Sequence, residues 1–319
     1  MVPTPPRLAR PAGAVALAVA ALALTSACST AGTAGADTGS GGSGRVVRVV
    51  AAENFWGSIA AQLGGSHAQV TSIITNPDTD PHSYEPTTAD ARTLTTAQLA
   101  VVNGIGYDGW ADKLLATNAD SGRTELNVGD LVGIKPGGNP HRWYSPADVH
   151  QVIARMTADY KKLDPADAAY FDQRESVFES QTLAPYDQLI ASIRATYAGT
   201  PIGASESIVT PLAEGLGLKM MTPESFLDAM SEGSDPTAAD KSLIDQQIRD
   251  KQIKVYVYNT QNSTPDVTAQ VQLAKQEGIP VATVTETLSP ATDTFEQWQV
   301  SELQGIAAAL RAAKAGEAK

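Results

Sequence analysis

The sequence predicts an α/β protein built as two parallel-sheet α/β lobes joined by one long backbone helix. Three observations carry that expectation. Short runs rich in Val, Ile and Ala alternate with segments of helical spacing, once before Asp164 and again after Tyr197. Between them lies a helical stretch of roughly 30 residues, long for a compact domain and suited to a rigid connector. About 275 residues follow an unfolded-looking leader, enough for two domains each with its own core.

The leader comes first. Arg7 and Arg10 precede an apolar stretch from Ala14 to Leu24, and small residues then lead to the only cysteine in Thr25-Ser26-Ala27-Cys28. A positive start, a short apolar run and a small-residue site are the pattern of a secretory signal peptide, residues 1–27. The small residues ending in Cys28 resemble a bacterial lipobox, in which the thiol is acylated, although Thr25 stands where leucine is commoner. Residues 28–44 are rich in Gly, Ser, Ala and Thr and read as a flexible tether. A lone cysteine excludes an internal disulfide and a thiolate-cluster metal site. No later run is long and apolar enough to suggest a membrane span.

The first lobe is expected over residues 45–163. Val46 to Ala52 reads as a buried strand, Phe55 to Leu63 as a helix stopped by Gly64-Gly65, and Gln69 to Ile74 as a second strand. Thr87-Thr88-Ala89-Asp90 opens a short helix, and Leu99 to Gly104 forms a third strand. Ser145-Pro146-Ala147-Asp148 joins a capping serine, a first-turn proline and a first-turn acid, and starts a helix to about Lys162. A second start at Asp164-Pro165 begins the connector, residues 164–198, which Pro185 should kink. In the second lobe, residues 199–319, strands are expected at Thr200 to Ala204, Lys254 to Tyr258 and Pro280 to Val284. Helices are expected at Ser207 to Leu216, Ala238 to Arg249, Thr264 to Gln276 and Thr294 to Ala313. The halves share a style but no sequence repeat.

A composition of 42% hydrophobic and 18% charged residues fits a globular chain, and a net charge of −12 argues against nucleic acid as a partner. Ligands of open α/β sheets bind beyond the carboxyl ends of strands, so polar residues there are the candidates. Two are Pro-His pairs on loops, Pro81-His82 and Pro140-His141. Two more are carboxylates directly after expected strands, Glu206 and Glu286. Two imidazoles and two carboxylates make a mixed N/O set suited to a first-row metal ion. Taken one at a time, a loop histidine or strand-end glutamate is more often a surface residue. His67, in a Gly-rich turn, reads as solvent-exposed, and His150 as a packing or surface residue of its helix. Trp143 and Tyr144 read as packing residues of the cleft.

The stretches Asp80-Pro81-His82-Ser83-Tyr84-Glu85-Pro86, Asn103-Gly104-Ile105-Gly106-Tyr107-Asp108-Gly109-Trp110 and Asn139-Pro140-His141-Arg142-Trp143-Tyr144 resemble the zinc/manganese family of ABC-transporter solute-binding proteins. The resemblance runs from about Val46 to Leu310. It implies an ion buried between the lobes, with His82, His141, Glu206 and Glu286 as ligands. The fourth ligand is usually Asp in the family, so Glu286 departs by one methylene. No histidine lies between residues 86 and 140, so the His-rich loop common in zinc members is absent. The donor set favours Mn²⁺ or Fe²⁺ over Zn²⁺.

The resemblance also implies a monomer, tethered by a lipid on Cys28 at the outer face of the bacterial cytoplasmic membrane, that serves an ABC permease. Two other readings share the scaffold: a binder of a chelated metal or small organic ligand, and a metal-dependent hydrolase. A third is an adhesion or scaffold role for a surface lipoprotein. The chain holds no HExxH, GxSxG or phosphate-loop motif, which weighs against an enzyme.

Overall fold

The computed structural model of the protein describes residues 46–77, 79 and 81–317. The expected signal peptide, Cys28 anchor and tether lie outside the described residues.

The N-terminal sheet starts at β1 (Val47–Glu53), buried except at Arg48. The apolar run from Val49 to Ala52, buried at every position, suits a strand covered on both faces. Helix α1 (Asn54–Gly64) follows, with Phe55, Trp56, Ile59, Ala60 and Leu63 on its buried side. It ends where Gly65 takes φ +49° and returns its N–H to Ala61 O. Then come β2 (Ala68–Ile74), α2 (Thr88–Thr95), β3 (Leu99–Val102), α3 (Gly109–Thr117), β4 (Thr124–Asn127), α4 (Val128–Val132) and α5 (Pro146–Leu163). All pairings are parallel and the strand order is β2-β1-β3-β4. The capping devices expected from sequence form. Thr87 and Asp90 make a reciprocal capping box on α2, and Ser145 caps α5 through Asp148 N.

The connector differs from the single kinked helix expected. A 3₁₀ turn at Pro165–Asp167 leads into α6 (Ala168–Val177), and a π-helical segment at Phe178–Thr182 separates it from α7 (Ala184–Tyr197). The break lies ahead of Pro185. That residue has no N–H for the carbonyl four residues back, and its ring would strike it. The backbone widens instead, and Leu183 N bonds to Phe178 O at 2.8 Å. α6 packs on α1 and α5, and α7 packs on the second lobe.

That lobe runs β5 (Pro201–Ala204), α8 (Val209–Leu216), β6 (Lys219–Met220), α9 (Glu224–Ser231), α10 (Ala238–Arg249), β7 (Val255–Asn259), α11 (Pro265–Gln276), β8 (Val281–Val284) and α12 (Phe295–Glu317). Its sheet, β6-β5-β7-β8, is again all parallel and repeats the order of the first. The repeat is topological, with no sequence echo. In each sheet the connection after the second strand crosses over the first to reach the third, a switch point at which loops diverge and leave a crevice at the strands' carboxyl ends. Among the described residues, no helix is long and apolar enough to cross a membrane.

Candidate metal centre

The loops at those two crevices face each other. His82 sits in a 3₁₀ turn, Pro81–Ser83, beyond β2, and His141 precedes the 3₁₀ turn Arg142–Tyr144 that leads into α5. Glu206 follows β5 and Glu286 follows β8. His82, His141 and Glu286 each place a ligand atom within 4.8 Å of the other two. The imidazole centroids are 5.5 Å apart. Glu206 lines the same small cavity, about 120 Å³, with His82, Glu286 and Asn262. Its carboxylate is not part of the 4.8 Å set.

His141 is fully buried, and its ring orientation is fixed. Nδ1 lies 2.9 Å from Asn139 Oδ1, which also accepts the His141 backbone N–H at 3.0 Å. An amide oxygen only accepts, so Nδ1 carries the proton and Nε2 presents a lone pair. Nε2 is buried with no hydrogen-bond partner among the described residues. Glu286 Oε1 stands 3.7 Å from it, at ion-pair range and too far for a hydrogen bond. A buried basic nitrogen facing a carboxylate across that gap is an arrangement a cation would complete.

Glu286 is held on three sides. Tyr107 Oη donates to Oε2 at 2.9 Å, Asn259 Nδ2 donates to Oε1 at 3.0 Å, and the backbone N–H donates to Gln261 Oε1 at 2.6 Å. Burial alone would raise its pKa. Positive charge beside it, from the His141 and then the His82 imidazole when protonated, overcomes that together with the Tyr107 hydroxyl and lowers the carboxyl below its ordinary value, a place a bound cation fills when His141 presents its lone pair. Asn262 Nδ2 donates to Glu206 Oε2 at 3.0 Å.

Tyr107 reaches this position through a tight loop. Gly104, Ile105 and Gly106 take φ of +73°, +63° and +93° in succession. A Cβ on Gly104 would lie 2.2 Å from Asn127 Oδ1, so that turn needs glycine. Behind it, Asp108 accepts the N–H groups of Asn103 and Gly104 at 2.7 and 2.8 Å, and burial pushes its carboxyl up to about 7. Asn103 Nδ2 in turn donates to Pro140 O at 2.9 Å, so the loop holding Tyr107 also holds the residue before His141.

Several bonds cross between the lobes: Tyr107 to Glu286, Asn139 Nδ2 to Ser207 O at 2.7 Å, and Gln261 Nε2 to Pro77 O at 2.6 Å. Trp143 and Tyr144 are fully buried, as expected, and Tyr144 Oη lies 2.8 Å from Thr285 O. Sequence reasoning missed Asn259, Gln261 and Asn262. They directly follow a correctly expected strand, and the strand-end rule that found Glu206 and Glu286 applies to them equally. His67 corrects another expectation. It is not a free surface residue but stacks on Tyr170 at 3.9 Å and faces Asp167, because the turn after α1 folds against the start of the connector. His150 is a surface residue, bridging Glu179 and Asp187 at 3.2 and 3.0 Å.

Comparison with known proteins gives the same direction. A family described as "ZnuA: Zinc-uptake complex component A periplasmic" matches residues 49–309. The manganese-binding lipoprotein MntA of Halalkalibacterium halodurans is 26% identical over 128 residues, 39% of this chain and 42% of that protein. The alignment therefore spans less than half of that relative. The iron-binding protein YfeA of Yersinia pestis is 26% identical over 250 residues, 72% of this chain and 74% of that one. The Mn-bound periplasmic metal binding protein from Candidatus Liberibacter asiaticus superposes with a TM-score of 0.68 at 21% identity, over 83% of this chain and 99% of that one, a likeness of fold.

Proposed function

The chain belongs to the zinc-uptake complex component A family, and from that premise we propose that it captures a divalent transition-metal ion outside the cell and delivers it to an ABC import permease. The observation that carries this reading is the convergence of His82, His141 and Glu286 within 4.8 Å, with the buried Nε2 of His141 turned into the gap. Glu206, on the wall of the same cavity, is the fourth ligand in this reading.

The ion would enter through a cavity of about 590 Å³ that reaches His82 and is lined by Tyr107, Asn139, Asp228 and Glu232. It exchanges its water for two imidazoles and two carboxylates. Asn139 keeps the His141 lone pair aimed at the ion, Tyr107 and Asn259 keep Glu286 from turning away, and Asn262 steadies Glu206. The bonds between the lobes favour a small rearrangement on loading over a wide hinge swing.

Mn²⁺ or Fe²⁺ is the favoured cargo, because two carboxylates make the set harder than three imidazoles would. Lipid attachment at Cys28 and a monomeric state complete the proposal, and the MntA relative is itself named a lipoprotein. The relatives bear the names of binding proteins, which favours capture over catalysis.

Native mass spectrometry with elemental analysis tests the proposal, on the parent and on His82→Ala, His141→Ala and Glu206→Ala. One transition-metal ion per chain, lost or weakened in each variant, is expected. Failure to take up Mn²⁺, Fe²⁺ or Zn²⁺ at these residues would sink it and favour an organic-ligand binder.

A further inference from the structure

At the opposite end of the N-terminal sheet, three ligand-type side chains converge away from the cleft. His67 sits in the 3₁₀ turn Gly65–His67 just before β2, and Asp164 and Asp167 flank the 3₁₀ turn Pro165–Asp167 that opens the connector. Each offers a ligand atom within 4.8 Å of the other two. β2 separates this trio from the His82 loop by about 20 Å at 3.3 Å per residue.

The spacing explains the convergence. A 3₁₀ turn has three residues per repeat, so Asp164 and Asp167 project from one face, and Pro165 stiffens the backbone between them. The His67 ring is clamped by stacking on Tyr170 at 3.9 Å and 16°. Ser66 N also bonds Tyr170 Oη at 3.0 Å, so the turn is anchored on both sides of the stack.

Hydrogen bonding leaves the trio incomplete. Asp164 is only 6% exposed, yet its Oδ2 is buried with no hydrogen-bond partner among the described residues. His67 Nδ1 and Asp167 Oδ2 stand 2.9 Å apart without hydrogen-bond alignment, and neither has another partner among the described residues. Two carboxylates this close repel each other, and a single imidazole can offer at most one positive charge against them. A divalent cation answers all three groups at once. One imidazole nitrogen and two carboxylate oxygens, on a rim where His67 is 23% exposed, leave a fourth position for water, which is a coordination set Zn²⁺ accepts.

We propose that His67, Asp164 and Asp167 form a second divalent-metal site, taking Zn²⁺, that pins the turn before β2 to the start of the connector. The site is independent of the cleft.

Equilibrium dialysis of the full chain against Zn²⁺, with bound metal counted by elemental analysis and folding followed by circular dichroism, tests it. One Zn²⁺ should be lost in His67→Ala and in Asp167→Asn. The second substitution lies on the rim and preserves shape, so the test survives if the first perturbs folding. A His82→Ala/His141→Ala double variant should still hold one Zn²⁺. A count unchanged by His67→Ala and Asp167→Asn, or a count of zero in the double variant, overturns the site and leaves the trio an ion-pair cluster only. A count that the double variant does not lower would instead speak against the cleft and leave the second site standing.

Discussion

Asn139 Oδ1 accepts both the backbone N–H and the ring Nδ1–H of His141, and its Nδ2 donates to Ser207 O in the facing lobe. One amide therefore fixes the imidazole tautomer and ties the lobes beside the gap. Asn139→Ala should weaken metal affinity by about 10- to 100-fold while leaving all four proposed ligands in place. Competition against a chromophoric chelator measures this, and an unchanged affinity would mean that Tyr107, Trp143 and Ser207, the ring's other neighbours, hold it without Asn139.

Glu206 is the residue on which ion choice should turn. Replacing its carboxylate by a third imidazole softens the donor set. Glu206→His should raise the ratio of Zn²⁺ to Mn²⁺ affinity by roughly ten-fold, whatever happens to either affinity alone. Parallel titrations with the two ions give the ratio. If it stays constant, Glu206 is a wall of the cavity and not a ligand.

Much of this arrangement was legible in the sequence, and the gaps have physical causes. Strands such as Val255–Asn259 read clearly because burial on both faces leaves an unbroken apolar run. Helices α2 and α5 read clearly because their caps are local chemistry. β4 was missed because Thr-Glu-Leu-Asn is short and polar at three of its four positions, and β6 because it has two residues. α3 starts at Gly109 with no side-chain cap, after a loop of left-handed residues, so nothing local announces it. At the candidate site, the side chains proposed as ligands and the loops that carry them were visible. The Asn and Gln side chains that orient them were not singled out, because an amide gains a role only from what the fold brings to it. The same holds for His67, whose partners lie about a hundred residues downstream.

Glu302, on α12, gives a prediction of pH dependence. Burial pushes its carboxyl from 4.5 up to about 8, outweighing hydrogen bonds from Tyr144, Thr285 and Trp298. The folded state thus keeps a proton that the unfolded chain releases above about 4.5. The resulting stability is fully present below that pH and is lost as pH rises through about 8, at no more than roughly 1.4 kcal/mol per pH unit. Glu302→Gln removes the titration. In urea unfolding, the variant should gain on the parent steadily between pH 5 and pH 8. A constant difference across that range would show that Glu302 titrates normally.

The last prediction concerns how closely the lobes approach. A Cβ at Gly215, in α8 of the second lobe, would lie 2.6 Å from Pro146 Cδ and 2.8 Å from its Cγ, in the first turn of α5 of the first lobe. A proline ring closed on its own backbone cannot swing aside as a flexible side chain would. Alanine is favoured over glycine inside a helix by nearly 1 kcal/mol, whereas overpacking costs about 1–3 kcal/mol, so the clash should win. Gly215→Ala should therefore lower stability by up to about 2 kcal/mol, read as a shifted urea midpoint at unchanged slope. A stabilised variant would show instead that α8 can draw back from α5, and that the contact between the lobes is looser than the Gly215–Pro146 packing implies.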